Sequence, residues 1–207
     1  MGIIVNVDEC IGCHACFIAC KQENQVSPNI QWNRIRKVEN REKNIINYFR
    51  ASCQHCEDPA CLKVCPMKAV YKGPHGEILI DQDKCIACKA CLAACPYGMP
   101  MFNDQKLTSY FGEKQPLFSP SNPPTKNAQP GKAEHCTLCS HRLAKGKEPA
   151  CVEICPAKAL TLVDFDAPTE KQKKLLSKAV QLKAGVDTKP KVRYICSNMD
   201  FREVALK

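Results

Sequence analysis

Sixteen of the seventeen cysteines in this 207-residue chain fall into four motifs of four, which leaves few folds open to it. The motifs are Cys10, Cys13, Cys16 and Cys20, then Cys53, Cys56, Cys61 and Cys65, then Cys85, Cys88, Cys91 and Cys95, and finally Cys136, Cys139, Cys151 and Cys155. The first and third motifs have the spacing that holds a [4Fe–4S] cluster, and the other two are stretched variants of it. In such a run three cysteines ligate one cluster and the fourth ligates its neighbour. The sequence therefore predicts four [4Fe–4S] clusters on these sixteen thiolates, with electron transfer as their use.

The residues around each motif suit this use. Two residues between ligands let the loop curl, with backbone N–H groups directed at the sulfurs. In the first and third motifs one helical turn separates the third cysteine from the fourth, so a short helix is expected there. Pro66, Pro96 and Pro156 directly follow a fourth cysteine. Because proline lacks an N–H and disfavours helix in the residue before it, each turn is expected to end at that point.

Other uses of cysteine fit the chain less well. A disulfide framework suits short secreted chains with an even number of cysteines. Zinc ribbons use paired C-x2-C units, whereas triplets and quartets predominate in this sequence. Cys196 is expected to be a buried or free thiol with no ligand role. His14, His55 and His135 lie beside ligands, but each motif already has four thiolates, so they are expected to support the sites or lie at the surface.

Composition and charge narrow the class of protein. The formal charge of +9 falls to about +1 once the thiolates and oxidised cluster cores are included, so nucleic-acid binding is not expected. No run of eighteen apolar residues is present, which predicts no transmembrane helix. The first motif begins at residue 10, which is expected to leave no room for a signal peptide. Neither a nucleophile–base pair nor a nucleotide-binding motif stands out, so no catalysis by this chain is expected.

The distances between the motifs predict an α+β fold of two ferredoxin-like units. Nineteen residues separate Cys65 from Cys85, enough for a hairpin with strands at 69–71 and 78–80. The second and third motifs would then form one unit that is similar to a two-cluster bacterial ferredoxin. Longer gaps of thirty-two and forty residues flank this unit, so by elimination the first and fourth motifs form the other.

These units correspond to five segments of the chain. Residues 1–50 and 136–166 are the two halves of the outer unit, and residues 51–102 are the inner unit. Residues 103–135 contain five prolines and are predicted to be irregular, either a surface loop or a clasp on a partner subunit. Residues 167–207 are a C-terminal helix and tail.

Further strands and one helix are expected outside the motifs. The strands are predicted at 3–7, 48–52, 160–163 and 191–196. A helix is predicted from 168 to 184, with an apolar face, a lysine-rich face and Gly185 as its end.

Four such motifs in this order make the chain similar to a known family. Residues 53–66 read CQHCEDPACLKVCP, residues 85–98 read CIACKACLAACPYG, and residues 136–156 begin with CTLC and end with CVEICP. Over residues 3–165 the chain resembles the four-cluster electron-transfer subunits of the dimethyl sulfoxide reductase superfamily. These include subunits of dimethyl sulfoxide, polysulfide, thiosulfate and arsenate reductases, formate dehydrogenases and pyrogallol transhydroxylase.

The resemblance implies a crossed pattern of ligation, with three cysteines of one motif and the fourth of another around each cluster. The implied sets are Cys10, Cys13 and Cys16 with Cys155; Cys20 with Cys136, Cys139 and Cys151; Cys53, Cys56 and Cys61 with Cys95; and Cys65 with Cys85, Cys88 and Cys91. The resemblance also implies a molybdenum or tungsten bis-pterin catalytic subunit as partner, and a membrane quinone subunit or soluble carrier beyond it. Such a subunit would be cytoplasmic, or exported already folded with a catalytic subunit that carries the signal.

Two other interpretations stay open from the sequence. A polyferredoxin subunit of a hydrogenase, carbon monoxide dehydrogenase or formate-linked complex would use the same motifs, although the eleven residues between Cys139 and Cys151 argue against it. A structural or regulatory protein that holds zinc is a third class. The large subunit that co-purifies and the colour of the pure protein would separate the three.

Overall fold

The computed structural model describes residues 1–104, 130–182 and 187–206. Its helices are α1 (Ala15–Asn24), α2 (Ala60–Lys63), α3 (Ala90–Ala94), α4 (Ser140–Leu143), α5 (Ala150–Glu153) and α6 (Glu170–Leu176). Its strands are β1 (Gly2–Asn6), β2 (Asn33–Asn40), β3 (Ile45–Ser52), β4 (Val70–Lys72), β5 (Ile78–Ile80), β6 (Met101–Phe102), β7 (Ala133–Glu134), β8 (Leu160–Val163) and β9 (Arg193–Ile195). The described residues therefore mix helices and strands, in agreement with the predicted α+β class.

A three-stranded sheet joins the beginning of the chain to two later segments. β1 lies in the middle, antiparallel to β8 and parallel to β9, with Ile3 opposite Leu162 and Val5 opposite Tyr194. Ile3, Ile4 and Val5 are buried, as expected for a central strand that is covered on both faces. The sheet thereby holds the first motif, which follows β1, beside the fourth motif, which precedes β8.

The remaining strands form three two-stranded sheets. β2 and β3 make the longest hairpin, from Asn33 opposite Ser52 to Asn40 opposite Ile45. β4 and β5 make a shorter hairpin, where Gly76 in the turn has a left-handed φ of 74°. β6 pairs with β7, so the end of the predicted irregular loop is a strand. Positions 105–129 of that loop lie outside the described residues.

Four of the helices pack in two pairs. α1 packs against α5, and α2 packs against α3. Cys16 and Cys20 lie on α1, Cys61 on α2, Cys91 on α3 and Cys151 on α5, so each pair joins two motifs. None of the described helices has the length and apolar composition to span a lipid bilayer.

Most of the predicted strands are confirmed. The strands at 78–80 and 160–163 have the predicted bounds, and those predicted at 3–7, 69–71 and 191–196 differ by one or two residues at an end. The strand predicted at 48–52 begins three residues earlier, and its partner β2 was not predicted. Ile35 and Val38 of β2 do not follow a two-residue period, so pairing with β3 rather than its own pattern makes this segment a strand.

The helix predicted from 168 to 184 is wrong in length. α6 begins after Thr169, whose hydroxyl accepts a hydrogen bond from Gln172 N at 3.3 Å while Gln172 Oε1 accepts one from Thr169 N at 2.8 Å, a capping box. It ends at Leu176. Val180 is drawn away because it exchanges two backbone hydrogen bonds of 2.8 Å with Tyr194. Positions 183–185, the predicted end of this helix, lie outside the described residues.

Three aromatic rings attach the end of the chain to β3. Phe49 lies edge-on to Tyr194 and Phe201, with ring centroids 5.9 and 4.7 Å away, and Tyr194 stacks on Phe201 at 5.0 Å. All three side chains are buried in a core that also contains cysteines of all four motifs. Packing of the chain end therefore bears directly on the surroundings of the cysteines.

Candidate metal centres

The structure brings the sixteen motif cysteines together in four sets, and two of these sets line cavities. The cavities define site 1 (Cys10, Cys13, Cys16 and Cys155) and site 4 (Cys65, Cys85, Cys88 and Cys91). In each case three cysteines come from one motif and one from another. The packing of α1 on α5 brings Cys155 to the first motif, and the packing of α2 on α3 brings Cys65 to the third motif.

Two further sets are defined by the effect of one thiol on another. Burial raises the pKa of Cys20 well above its usual value, and three nearby thiolates raise it further, which defines site 2 (Cys20, Cys136, Cys139 and Cys151). Burial raises the pKa of Cys61 to about 12, with further contributions from neighbouring cysteines. Cys61 and its neighbours define site 3 (Cys53, Cys56, Cys61 and Cys95).

Neighbouring sites adjoin in a single order. Burial is the main cause of the raised pKa of Cys16 in site 1, and the Cys151 thiolate of site 2 adds to it. Likewise, burial raises the pKa of Cys53 in site 3, and Cys136 of site 2 adds to it. A thiolate of site 4 adds to the effect of burial on the pKa of Cys61 in site 3. The sites therefore follow one another in the order 1, 2, 3, 4.

The chemistry of these thiols fits a bound metal cluster. Burial raises the pKa of Cys16 and of Cys139 to about 12, so both are neutral near pH 7 without metal. Because the thiolate is the form that binds metal, loading must displace protons and supply positive charge to offset the buried anions. Within the described ranges, no three His, Cys, Asp or Glu side chains are arranged to hold a single metal ion.

The loops between the cysteines turn through left-handed residues. Leu138 has a φ of 55°, and its N–H donates to Cys136 Sγ at 3.4 Å. His55 has a φ of 45°, and its N–H donates to Cys53 Sγ at 3.5 Å. A left-handed φ is costly for a residue with a side chain, so it persists where the surrounding structure enforces it, often at functional sites. These N–H groups point at the atoms that would bind iron, and such hydrogen bonds help to set cluster potentials.

Two polar side chains at the sites were not predicted from the sequence. Asn24 is buried at the end of α1, and its Nδ2 donates to Cys20 Sγ and Cys139 Sγ, both at 3.7 Å. Arg50 is buried on β3, and its Nη2 donates to Cys136 Sγ at 3.6 Å. The one sequence signal for Asn24 is its position one helical turn after Cys20. No such signal marks Arg50.

The three histidines beside the motifs occupy different surroundings. His14 is exposed, whereas His55 and His135 are buried with their ring centroids 6.3 Å apart. His55 Nδ1 accepts a hydrogen bond from Ile78 N–H at 3.1 Å, and His135 Nδ1 donates to the Cys136 carbonyl at 2.7 Å. Both Nδ1 atoms therefore contact backbone.

Cys196 lies apart from the four sites. Its half-buried thiol donates to Asn198 Oδ1 at 3.1 Å, and its sulfur accepts a hydrogen bond from Asn47 Nδ2 at 3.7 Å. This position makes Cys196 a control for substitutions of the motif cysteines.

Comparison with known proteins defines the class of the chain. A 4Fe-4S dicluster domain matches residues 45–110 and 116–165, and a 4Fe-4S binding domain matches residues 7–23. Together these matches contain all four cysteine motifs. The chain is therefore a protein that binds [4Fe–4S] clusters.

Curated relatives narrow this class to one family. The iron-sulfur subunit of arsenate respiratory reductase from Shewanella sp. strain ANA-3 is 36% identical over 95% of this chain and 96% of the relative. The B subunit of polysulfide reductase from Wolinella succinogenes is 36% identical over 92% of this chain and 91% of the relative. The B subunit of anaerobic dimethyl sulfoxide reductase from Escherichia coli K12 is 34% identical over 84% and 76%. The chain belongs to the family of iron–sulfur electron-transfer subunits of the dimethyl sulfoxide reductase superfamily, as its motifs predicted.

Proposed function

We propose that the chain carries four [4Fe–4S] clusters, one at each of sites 1 to 4, and passes electrons singly from one end of the series to the other. The cysteines of each site would be the four ligands of its cluster. The observation that carries the proposal is that two cavities are each lined by three cysteines of one motif and one cysteine of another. When bound, such a cluster accepts and releases electrons at a potential set by its surroundings.

The arrangement we propose has two ferredoxin-like units. Sites 1 and 2 would belong to the outer unit, made from the first and fourth motifs, and sites 3 and 4 to the inner unit. The packing of α1 on α5 and of α2 on α3 supports this division. Because neighbouring sites adjoin in the order 1 to 4, the chain would hold its clusters along one path.

Electrons would enter and leave the chain at sites 1 and 4. Cys13 of site 1 and Cys88 of site 4 are exposed, whereas the other proposed ligands are buried or half-buried. Ile11 lines the cavity of site 1 and is 65% exposed, and Ile86 lines that of site 4 and is 58% exposed. Exposed apolar side chains beside a ligand suit contact with another subunit, because such contact brings the cluster close to the partner and excludes water.

The partner at one end would be a molybdenum or tungsten bis-pterin catalytic subunit, and at the other end a membrane quinone subunit or a soluble carrier. The relatives are subunits of arsenate, polysulfide and dimethyl sulfoxide reductases, which supports a catalytic partner for this chain. The chain itself would be non-catalytic. The relatives named above as iron–sulfur and B subunits of their reductases support this role.

Anaerobic purification of the chain with its native partner tests this function. We expect about sixteen irons per chain, since each cubane cluster holds four. We also expect coupled electron paramagnetic resonance (EPR) signals after reduction, and molybdenum or tungsten in the large subunit. Cys13→Ala should alter or remove one cluster, whereas the control Cys196→Ala should keep all four. Iron with neither molybdenum nor tungsten would favour a hydrogenase-type polyferredoxin, and zinc without iron would overturn the proposal.

A further inference from the structure

Arg50 places a positive charge inside the protein, and neither of its two hydrogen-bond acceptors is a carboxylate. The residue is 1% exposed. Its Nη1 donates to Ser52 Oγ at 2.7 Å and its Nη2 to Cys136 Sγ at 3.6 Å. Its Nε–H has no hydrogen-bond acceptor in the part of the chain that the structure describes. A buried charge is costly unless an opposite charge lies nearby, so the surroundings of Arg50 must supply one.

The opposite charge available to Arg50 comes from two of the sites. Arg50 lines the cavity of site 1, where Cys16 is close enough for electrostatic attraction. On the other side, it donates to Cys136 and lies near Cys20 and Cys151 of site 2. An oxidised cluster with its four thiolates carries a charge of about −2, since metal charges enter the count. The guanidinium thus lies between two anionic centres.

We propose that Arg50 raises the reduction potentials of the clusters at sites 1 and 2 by acting as a fixed positive charge between them. The inference rests on the proposed function, because it requires clusters at those two sites. It adds a specific role for a residue outside the cysteine motifs.

The physical reason is the charge added on reduction. Each electron makes a cluster one unit more negative, and a buried cation at close range favours the more negative form. The guanidinium stays charged at any pH at which the protein exists, and the hydrogen bond to Ser52 Oγ fixes its position. The attraction decreases with distance, so sites 3 and 4 should be affected less. Arg50 would therefore favour residence of electrons at the site 1 and site 2 end of the path.

Redox titration monitored by EPR, on the complex with its native partner, tests this role. Arg50→Gln should lower the reduction equilibrium constants of two of the four clusters at least tenfold, which is about 59 mV for a one-electron couple. The other two clusters should shift less. Arg50→Lys, which keeps the charge, should stay within tenfold of the wild type. The matched control is Arg193→Gln, because the Arg193 guanidinium lies 5.5 Å from the Phe165 ring and lines neither cysteine cavity; it should shift no cluster.

The outcomes separate this inference from the proposed function. Unchanged potentials in loaded Arg50→Gln, or an equal shift of all four clusters, would overturn the role of Arg50 alone. If that variant does not load its clusters, pulsed EPR of the reduced wild type labelled with ¹⁵N-arginine replaces it. We expect ¹⁵N coupling that Arg50→Lys abolishes, and its absence in the wild type would overturn the inference. A wild-type protein without iron would instead overturn the proposed function itself.

Discussion

Truncation of Phe201 to alanine should make the protein release its clusters far more readily. The Phe201 ring is buried, and its centroid lies 4.7 Å from that of Phe49 and 5.0 Å from that of Tyr194, so its loss leaves a cavity beside β3. Truncation of a buried phenylalanine costs about 3–5 kcal/mol in free energy of unfolding. A loss of about 3 kcal/mol raises the opened fraction of the protein by a factor of about 100 or more. This loss is a large part of the stability of a domain, which is only about 5–15 kcal/mol.

The assay is the anaerobic loss of cluster absorbance in moderate urea with an iron chelator present. Because the chelator captures the iron that unfolding releases, unfolding is irreversible, and the rate at which cluster absorbance is lost is the quantity to compare. Phe165→Ala is the matched control, because Phe165 is only half-buried and its ring faces the Arg193 guanidinium. We expect the control to lose absorbance much more slowly than Phe201→Ala. Equal rates for the two variants would refute the argument that the aromatic cluster holds the core around the sites.

Two further predictions concern a loop and an ion pair. Gly12 has a φ of 70°, and a Cβ there would lie 2.8 Å from the Tyr48 ring, so Gly12→Ala should disturb the first motif and lower the iron content. Gly146→Ala should keep its iron, because Gly146 has a similar φ of 68° but no described atom within 4 Å of an added Cβ; equal iron contents would contradict the steric argument. Glu23 contacts His141 Nε2 at 2.8 Å and Arg142 Nη1 at 3.0 Å. Burial raises the pKa of Glu23, but these partners outweigh it and hold the pKa below its usual 4.5. The contacts therefore stabilise the fold fully above pH 4.5, and this stabilisation is lost as the pH falls through the lowered pKa. Glu23→Gln should lose its cluster absorbance in urea about tenfold faster at neutral pH, which corresponds to about 1.5 kcal/mol, and this difference should shrink as the pH falls towards the pKa of Glu23; a pH-independent difference would contradict this assignment.

The local part of each site could be predicted from the sequence, but contacts across the chain could not. The spacing of cysteines restricts how a loop folds, and the left-handed turn at Leu138 belongs to that local geometry. Arg50, by contrast, lies 86 residues from Cys136, and Asn24 lies 115 residues from Cys139. No local pattern encodes such an approach. Arginine is also among the residues least often fully buried, so burial of Arg50 is the opposite of what its type predicts.

The secondary structure shows the same limit. The runs that became β1 and β5 were predictable because each is a short series of buried apolar residues. β2 was missed because its strand state depends on β3 rather than on its own composition. Val180 and Leu182 fit a helical period, yet both lie after the end of α6 and outside any helix, and Val180 pairs with Tyr194. Periodicity identifies apolar positions but not the partner that buries them.

We expect folding of the chain and loading of its clusters to be one process. Site 1 is complete only when Cys155 reaches the loop of Cys10, which requires the pairing of β1 with β8. The raised pKa of Cys16, about 12, means that such a core without metal would hold neutral thiols with little to draw them together. Metal–thiolate bonds supply the free energy that ionises these thiols, so it becomes folding free energy. The same reasoning applies to Arg50, because a guanidinium that would destabilise a core without clusters would become favourable between the two anionic clusters proposed for sites 1 and 2.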